Sequence, residues 1–264
     1  MKMGFETGFG PPTGLPRRVS AEAILGRITP KTKAILLNSP SNPTGALIEE
    51  GVVSAIADEA ARRGIWTIVD LCYEQLIYET VPHNLPKTLF DRNRAKTVLC
   101  GSASKSYAMT GWRAGWTIAP KELTSVFNII QGQSTSNISS ITQKAVLAAV
   151  SGSQDAVTAM LDEYRERRDN IHAWLTAHPG IQCVKPKGAF YLFPDISGLL
   201  APGTTSTDFA QALLEKEHVV VTPGEAFDAP GYLRISYATS MEQLREGATR
   251  ILRFAESLQQ TAAR

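Results

Sequence analysis

The chain has 264 residues, 43% hydrophobic and 20% charged, which is the composition of a globular protein with room for one large domain or two modest ones. A formal net charge of +2 is too small to mark nucleic acid or an acidic surface as the partner. There is no run of about 18 apolar residues to span a membrane, and the start MKMGFETGFGPPTG lacks an apolar signal core, so no secretory route is expected.

Residues 1–20, with four glycines and three prolines, read as an irregular opening segment. Three short apolar runs follow at residues 34–38, 65–70 and 97–100, the last running into Gly101 and Ser102. Continuous runs of this kind suit buried parallel strands. Between the first two, residues 49–63 put Val52, Val53, Ile56 and Ala60 on one helical face. Strand, helix, strand is the α/β signature. The runs end in Asn38, Asp70 and Ser102, and ligands of open α/β sheets bind beyond the carboxyl ends of the strands. The cysteines, Cys72, Cys100 and Cys183, are odd in number and lack metal-ligand spacing, so they read as reduced thiols of a cytoplasmic protein.

From Ser139 the pattern turns helical. Residues 141–150 are alanine-rich, and residues 153–178 form a long amphipathic pattern that Pro179 and Gly180 stop. Residues 181–184, 188–193, 219–221 and 232–237 are β-like, with helices expected over 207–216 and 241–260. This second part is α+β, with a boundary near residue 150.

The stretch from Gly101 to Trp116, GSASKSYAMTGWRAGW, sets Lys105 among Ser102, Ala103, Ser104 and Ser106, with Arg113 eight positions later beside two tryptophans. Something anionic, and something the lysine can react with, would explain both cations. Taken singly, each residue has a plainer reading. Lys105 fits a solvated loop, Asp70 a helix cap, and Asn42-Pro43-Thr44-Gly45 a turn. Tyr73 and Phe190 fit core packing.

Together, Asn42 in NSPSNPTG, Asp70 and Tyr73 in DLCY, Lys105 in SASK and Arg234 in RISYA resemble the fold type I pyridoxal-phosphate enzymes, and among them the class I/II aminotransferases. The resemblance runs from about Arg27 onward. It implies an α/β large domain over residues 1–150, incomplete, with a mostly parallel sheet and helices on both faces. A long connecting helix and a smaller α+β domain would occupy residues 151–264.

It also implies roles. Lys105 would hold pyridoxal 5'-phosphate as a Schiff base and shuttle the substrate α-proton. Arg113 would grip the phosphate, with Ser102 and Ser104 as added donors, and Gly111 and Gly115 would let the backbone approach closely. Asp70 would keep the pyridine nitrogen protonated, and Asn42 and Tyr73 would hydrogen-bond the phenolic oxygen. Arg234 would bind the substrate carboxylate, with Phe190 walling the same pocket. His83, His172, His178 and His218 show no metal-like spacing, and no metal is expected.

The implied activity is transfer of an amino group from an α-amino acid to a 2-oxo acid by a cytoplasmic homodimer. A carbon–sulfur β-lyase with the same apparatus, and a truncated non-catalytic domain, are the competing readings. Members of the family carry a substantial N-terminal segment with a glycine-rich phosphate turn, and residues 1–26 hold no counterpart. The expectation is therefore poor cofactor retention, with sheet edge and apolar surface exposed.

Overall fold

The computed structural model describes residues 19–79 and 85–262; the opening segment, apart from Val19 and Ser20, and His83 lie outside them. These residues form two compact units, one of residues 19–41 and 46–161, the other of residues 42–45 and 162–262.

The first unit runs α1 (Ala21–Leu25), β1 (Ala34–Asn38), α2 (Glu50–Arg62), β2 (Trp66–Asp70), α3 (Leu85–Asn93), β3 (Thr97–Ser102), α4 (Ala103–Ser106), β4 (Gly115–Ile118), α5 (Lys121–Ser134) and α6 (Ser140–Ser151). Its sheet has the order β1-β2-β3-β4. The three expected strands are parallel, with Asn38 opposite Asp70 and Asp70 opposite Cys100, so the polar strand ends share one edge of the sheet. β4, absent from the sequence reading, is antiparallel to β3.

One face of the sheet carries the core. Leu37, Val69 and Leu99 pack with Val53, Ile56 and Ala57 of α2, Leu89 of α3 and Ile24 of α1. The spacing of Val53, Ile56, Ala57 and Ala60 is that of one helical stripe, and all four are buried. Burying a side chain the size of Ile56 contributes roughly 1.5–3 kcal/mol. Gly64, at φ 72°, adopts the left-handed conformation that ends the helix. At the β3–β4 side, α6 sets Ala145, Val146 and Ala149 against Ala103, Met109 and Ala114. Apolar side chains do stand exposed: Leu36 on β1, Ile129 and Ile130 on α5, and Ile141 on α6.

The second unit contains most of α7 (Asp155–Thr176), then β5 (Tyr191–Leu192), α8 (Ser206–Glu217), β6 (Thr222–Pro223), β7 (Leu233–Ser236) and α9 (Met241–Ala262). Its antiparallel sheet has the order β5-β7-β6. Leu244, Ala248, Ile251 and Ala255 form the buried stripe of α9, where Phe254 meets Phe209 of α8 edge-on at 5.1 Å. Thr205 and Asp208 form a capping box at the start of α8.

The β-like runs of this unit are shorter than their apolar composition suggests. Residues 181–184 make one bridge, Gln182 to Asp195. Ala189, at φ 56°, turns the chain out of extended geometry before β5. Residues 219–221 are not a strand, and Val220 is 79% exposed. Pairing with β7 begins only at Thr222, because backbone register and not apolarity decides sheet membership.

Candidate functional site

Each unit gathers part of the expected site. In the first, Asp70 closes β2, and its Oδ1 accepts a hydrogen bond from the Cys72 N–H at 2.9 Å, an Asx-type turn that orients the carboxylate. Ser102 closes β3 and caps α4, its hydroxyl accepting from the Ser104 N–H at 3.1 Å. Lys105 follows on α4, half-buried between the buried Ala103 and Ser106. The Cys72 thiol registers this assembly. Burial and the Asp70 charge push its pKa up, whereas a hydrogen bond with Ser102 and the Lys105 charge pull it down. Asp70 and Ser102 thus stand at the ends of neighbouring strands, with Lys105 on the helix that follows Ser102. Tyr73, next in the chain, is 5% exposed.

Residues 103–114 form the loop between β3 and β4, pinched shut where the Ala103 N–H donates to the Ala114 carbonyl at 3.1 Å. The pinch explains the eight-residue spacing, since Lys105 and Arg113 lie near the two ends of one closed loop. Arg113 is exposed, with left-handed backbone (φ 53°), and its Nη1 donates to the Thr110 carbonyl at 3.0 Å. Gly115 pairs with Ser102 across the strands, and a Cβ on Gly115 would lie 2.8 Å from the Gly101 carbonyl oxygen. A Cβ on Gly101 would lie 2.2 Å from Trp116 Nε1, so the indole lies over that glycine. At Gly111 no protein atom stands within 4 Å of the Cβ position.

Four side-chain oxygens in this unit are buried without a hydrogen-bond partner among the described residues: Thr67 Oγ1 and Thr97 Oγ1 within the sheet, and Asn38 Oδ1 and Ser106 Oγ. Of these, Asn38 lies opposite Asp70 at the strand ends and Ser106 adjoins Lys105. Orphaned polar atoms of this kind cost free energy unless a polar ligand meets them. With an amine, a carboxylate and serine hydroxyls alongside, the donor set fits a phosphorylated pyridine aldehyde.

In the second unit, Arg234 stands on the central strand β7, directly opposite Thr222 of β6. Its Nη2 donates to Thr222 Oγ1 at 3.1 Å and its Nη1 to Asn42 Oδ1 at 3.0 Å. The guanidinium carbon lies 4.8 Å from the Tyr191 ring centre and 5.1 Å from that of Phe227. Asn42 is brought there by the loop Asn42–Gly45, whose Gly45 carbonyl accepts from the Lys187 and Gly188 N–H groups at 3.0 and 2.9 Å. Arg168, 8% exposed, donates from Nη1 to the Pro186 carbonyl at 3.1 Å. Phe190 stacks on Tyr164 at 5.4 Å and touches Tyr191 at 4.9 Å, one ring back from Arg234.

Thr222, Tyr191 and Phe227 escaped the sequence reading. The one signal for Thr222 was a polar residue ending the valine run 219–221; the two aromatics looked like any core residue. Among the described residues, no group of three or more His, Cys, Asp or Glu could hold a metal ion, and no helix is long and apolar enough to cross a membrane.

Residues 16–251 match the family model described as aminotransferase class I and II. A probable aspartate/prephenate aminotransferase of Aquifex aeolicus is 40% identical over 243 residues, covering 91% of this chain and 62% of that protein. The aspartate aminotransferase of Geobacillus stearothermophilus is 39% identical over 242 residues, with the same two shares. The crystal structure of the aspartate aminotransferase from Rhizobium meliloti superposes with a TM-score of 0.85 at 38% identity, covering 90% of this chain and 62% of that one. The chain therefore spans 62% of the length of these relatives.

Proposed function

The chain belongs to the class I and II aminotransferases, and from that premise we propose that it serves pyridoxal-phosphate-dependent transfer of an amino group from an α-amino acid to a 2-oxo acid. Residues 1–150 would act as the cofactor-binding domain and residues 151–264 as the connecting helix and smaller domain. Aspartate is the amino donor suggested by the relatives' names. We propose a homodimer in the cytoplasm as the setting; the three free cysteines agree with a reducing compartment.

The observation that carries the reading is that Asp70 and Ser102 end the adjacent parallel strands β2 and β3 on one side of the sheet, with Lys105 on α4 directly beyond. The cofactor, when bound, supplies an electron sink for the pair left at the substrate α-carbon. The chain's own residues would do the rest. Lys105 Nζ would anchor the cofactor at its aldehyde carbon and, once released, move the α-proton. The Asp70 carboxylate would hold a proton on the pyridine nitrogen, and its bond from the Cys72 amide orients it for that task. Ser102, Ser104 and Arg113 would hold the phosphate. Asn42 and Tyr73 would bind the phenolic oxygen. Arg234 would bind the substrate carboxylate through two parallel N–H bonds, and Phe190, behind Tyr191, would back that seat.

The test is to incubate the chain with pyridoxal 5'-phosphate, reduce with borohydride and sequence the peptides by mass spectrometry. A pyridoxyl group on Lys105 is expected. Finding it on another lysine would overturn the assignment.

A further inference from the structure

The five N–H donors of a guanidinium lie in one plane. A carboxylate can be gripped by two of them at once only while that plane points the right way. A long, mobile arginine would lose affinity each time it is immobilised on binding. Arg234 is built against this loss. It stands on the middle strand, and each neighbouring strand contributes one restraint: Thr222 of β6 accepts from Nη2, and the Tyr191 ring of β5 packs on the guanidinium. Phe227 supplies a second ring at 5.1 Å.

The segment carrying Phe227 is itself held. The Gly224 N–H donates to the Tyr232 carbonyl at 2.7 Å, and Glu225 Oε1 accepts from the Ser206 N–H at 2.9 Å. A Cβ on Gly224 would lie 2.0 Å from the Ala229 carbonyl oxygen, so only glycine lets this turn close. Phe193 meets the Phe227 ring edge-on at 5.9 Å and stacks on Tyr232 at 5.1 Å. The ring is therefore fixed before any ligand arrives.

We propose that Tyr191, Phe227 and Thr222 are positioning residues that fix the plane of the Arg234 guanidinium, so that a small carboxylic acid meets a preformed fork. This rests on the reading of Arg234 as the carboxylate seat. The rings occupy the guanidinium by cation–π contact, Thr222 and Asn42 take one N–H of each terminal nitrogen, and the remaining edge serves the ligand.

Succinate is the probe, its dissociation constant read by isothermal titration calorimetry on the full chain. The variants are Phe227→Leu, Phe227→Tyr, Thr222→Val and Arg234→Ala. Arg234→Ala is expected to abolish binding. Phe227→Leu and Thr222→Val should each weaken it about three- to tenfold, at an unchanged melting temperature of the unliganded chain, and Phe227→Tyr should restore it. Should Phe227→Leu fail to fold, the isosteric Thr222→Val decides alone. Parent-like affinity in Phe227→Leu and Thr222→Val, with Arg234→Ala inactive in binding, overturns the clamp and leaves the seat standing. Parent-like affinity in Arg234→Ala, or no binding by the parent, overturns the seat and the clamp together.

Discussion

Arg234 donates to the Asn42 side chain at 3.0 Å across 192 residues of sequence. The loop Asn42–Gly45 belongs to the same compact unit as Arg234, although the chain on either side of it belongs to the other. The Ser41 N–H donates to the Ala46 carbonyl at 2.9 Å and closes the base of that excursion. A tetrapeptide that reads locally as a turn is thus a structural part of the C-terminal unit.

Gly45→Ala should therefore cost more than an ordinary surface substitution. Gly45 has φ 64°, and a Cβ there would lie 2.4 Å from Pro186 Cβ and 2.7 Å from the Gly188 carbonyl oxygen. Left-handed strain and the clash together are expected to destabilise by about 1–3 kcal/mol. Urea unfolding measures this, and a midpoint equal to that of the parent would refute it.

Gly101 and Gly111 should respond in opposite directions. Gly101→Ala drives a methyl group into the Trp116 indole, whereas Gly111→Ala meets open space. The first should lower the melting temperature. The second should leave it unchanged or raise stability by about 0.4–1 kcal/mol through the unfolded chain. Equal effects would show that the indole does not lie over Gly101.

Asp70→Ala and Arg234→Ala should separate kinetically in a form with measurable turnover. Loss of the carboxylate beside the pyridine nitrogen should lower kcat. Loss of the guanidinium should chiefly raise KM, by an amount corresponding to roughly 2–5 kcal/mol for a charged, hydrogen-bonded contact. Small, equal effects from both would remove them from the reaction centre. Formation of a new amino acid from an added oxo acid, and not pyruvate and ammonia, distinguishes amino transfer from β-elimination.

Glu74 provides a pH test. Burial raises its pKa above the reference value of 4.5, so the folded chain holds this proton where the unfolded chain has released it. Stability from this group is then fully present below about pH 4.5 and declines as pH rises through the folded pKa. Glu74→Gln stays neutral throughout. It should match the parent in acid and exceed it at pH 7, with chemical denaturation at the two pH values as the measurement. A gain that is independent of pH would contradict the burial argument.

The sequence alone determined the α/β first part, because continuous apolar runs separated by one helical stripe have few other ways to bury themselves. It marked Asn42, Asp70, Tyr73, Lys105, Arg113 and Arg234 by their combined resemblance to the class I/II aminotransferases, since each taken singly has a plainer reading. It missed β4, and it misplaced the strand before Thr222, because pairing register is a property of two segments and not of one. Thr222, Tyr191 and Phe227 were invisible for the same reason. A threonine and two aromatic rings acquire a role only when a third segment brings a guanidinium among them. Local composition decides which residues must be inside or capped; tertiary packing decides which of them meet.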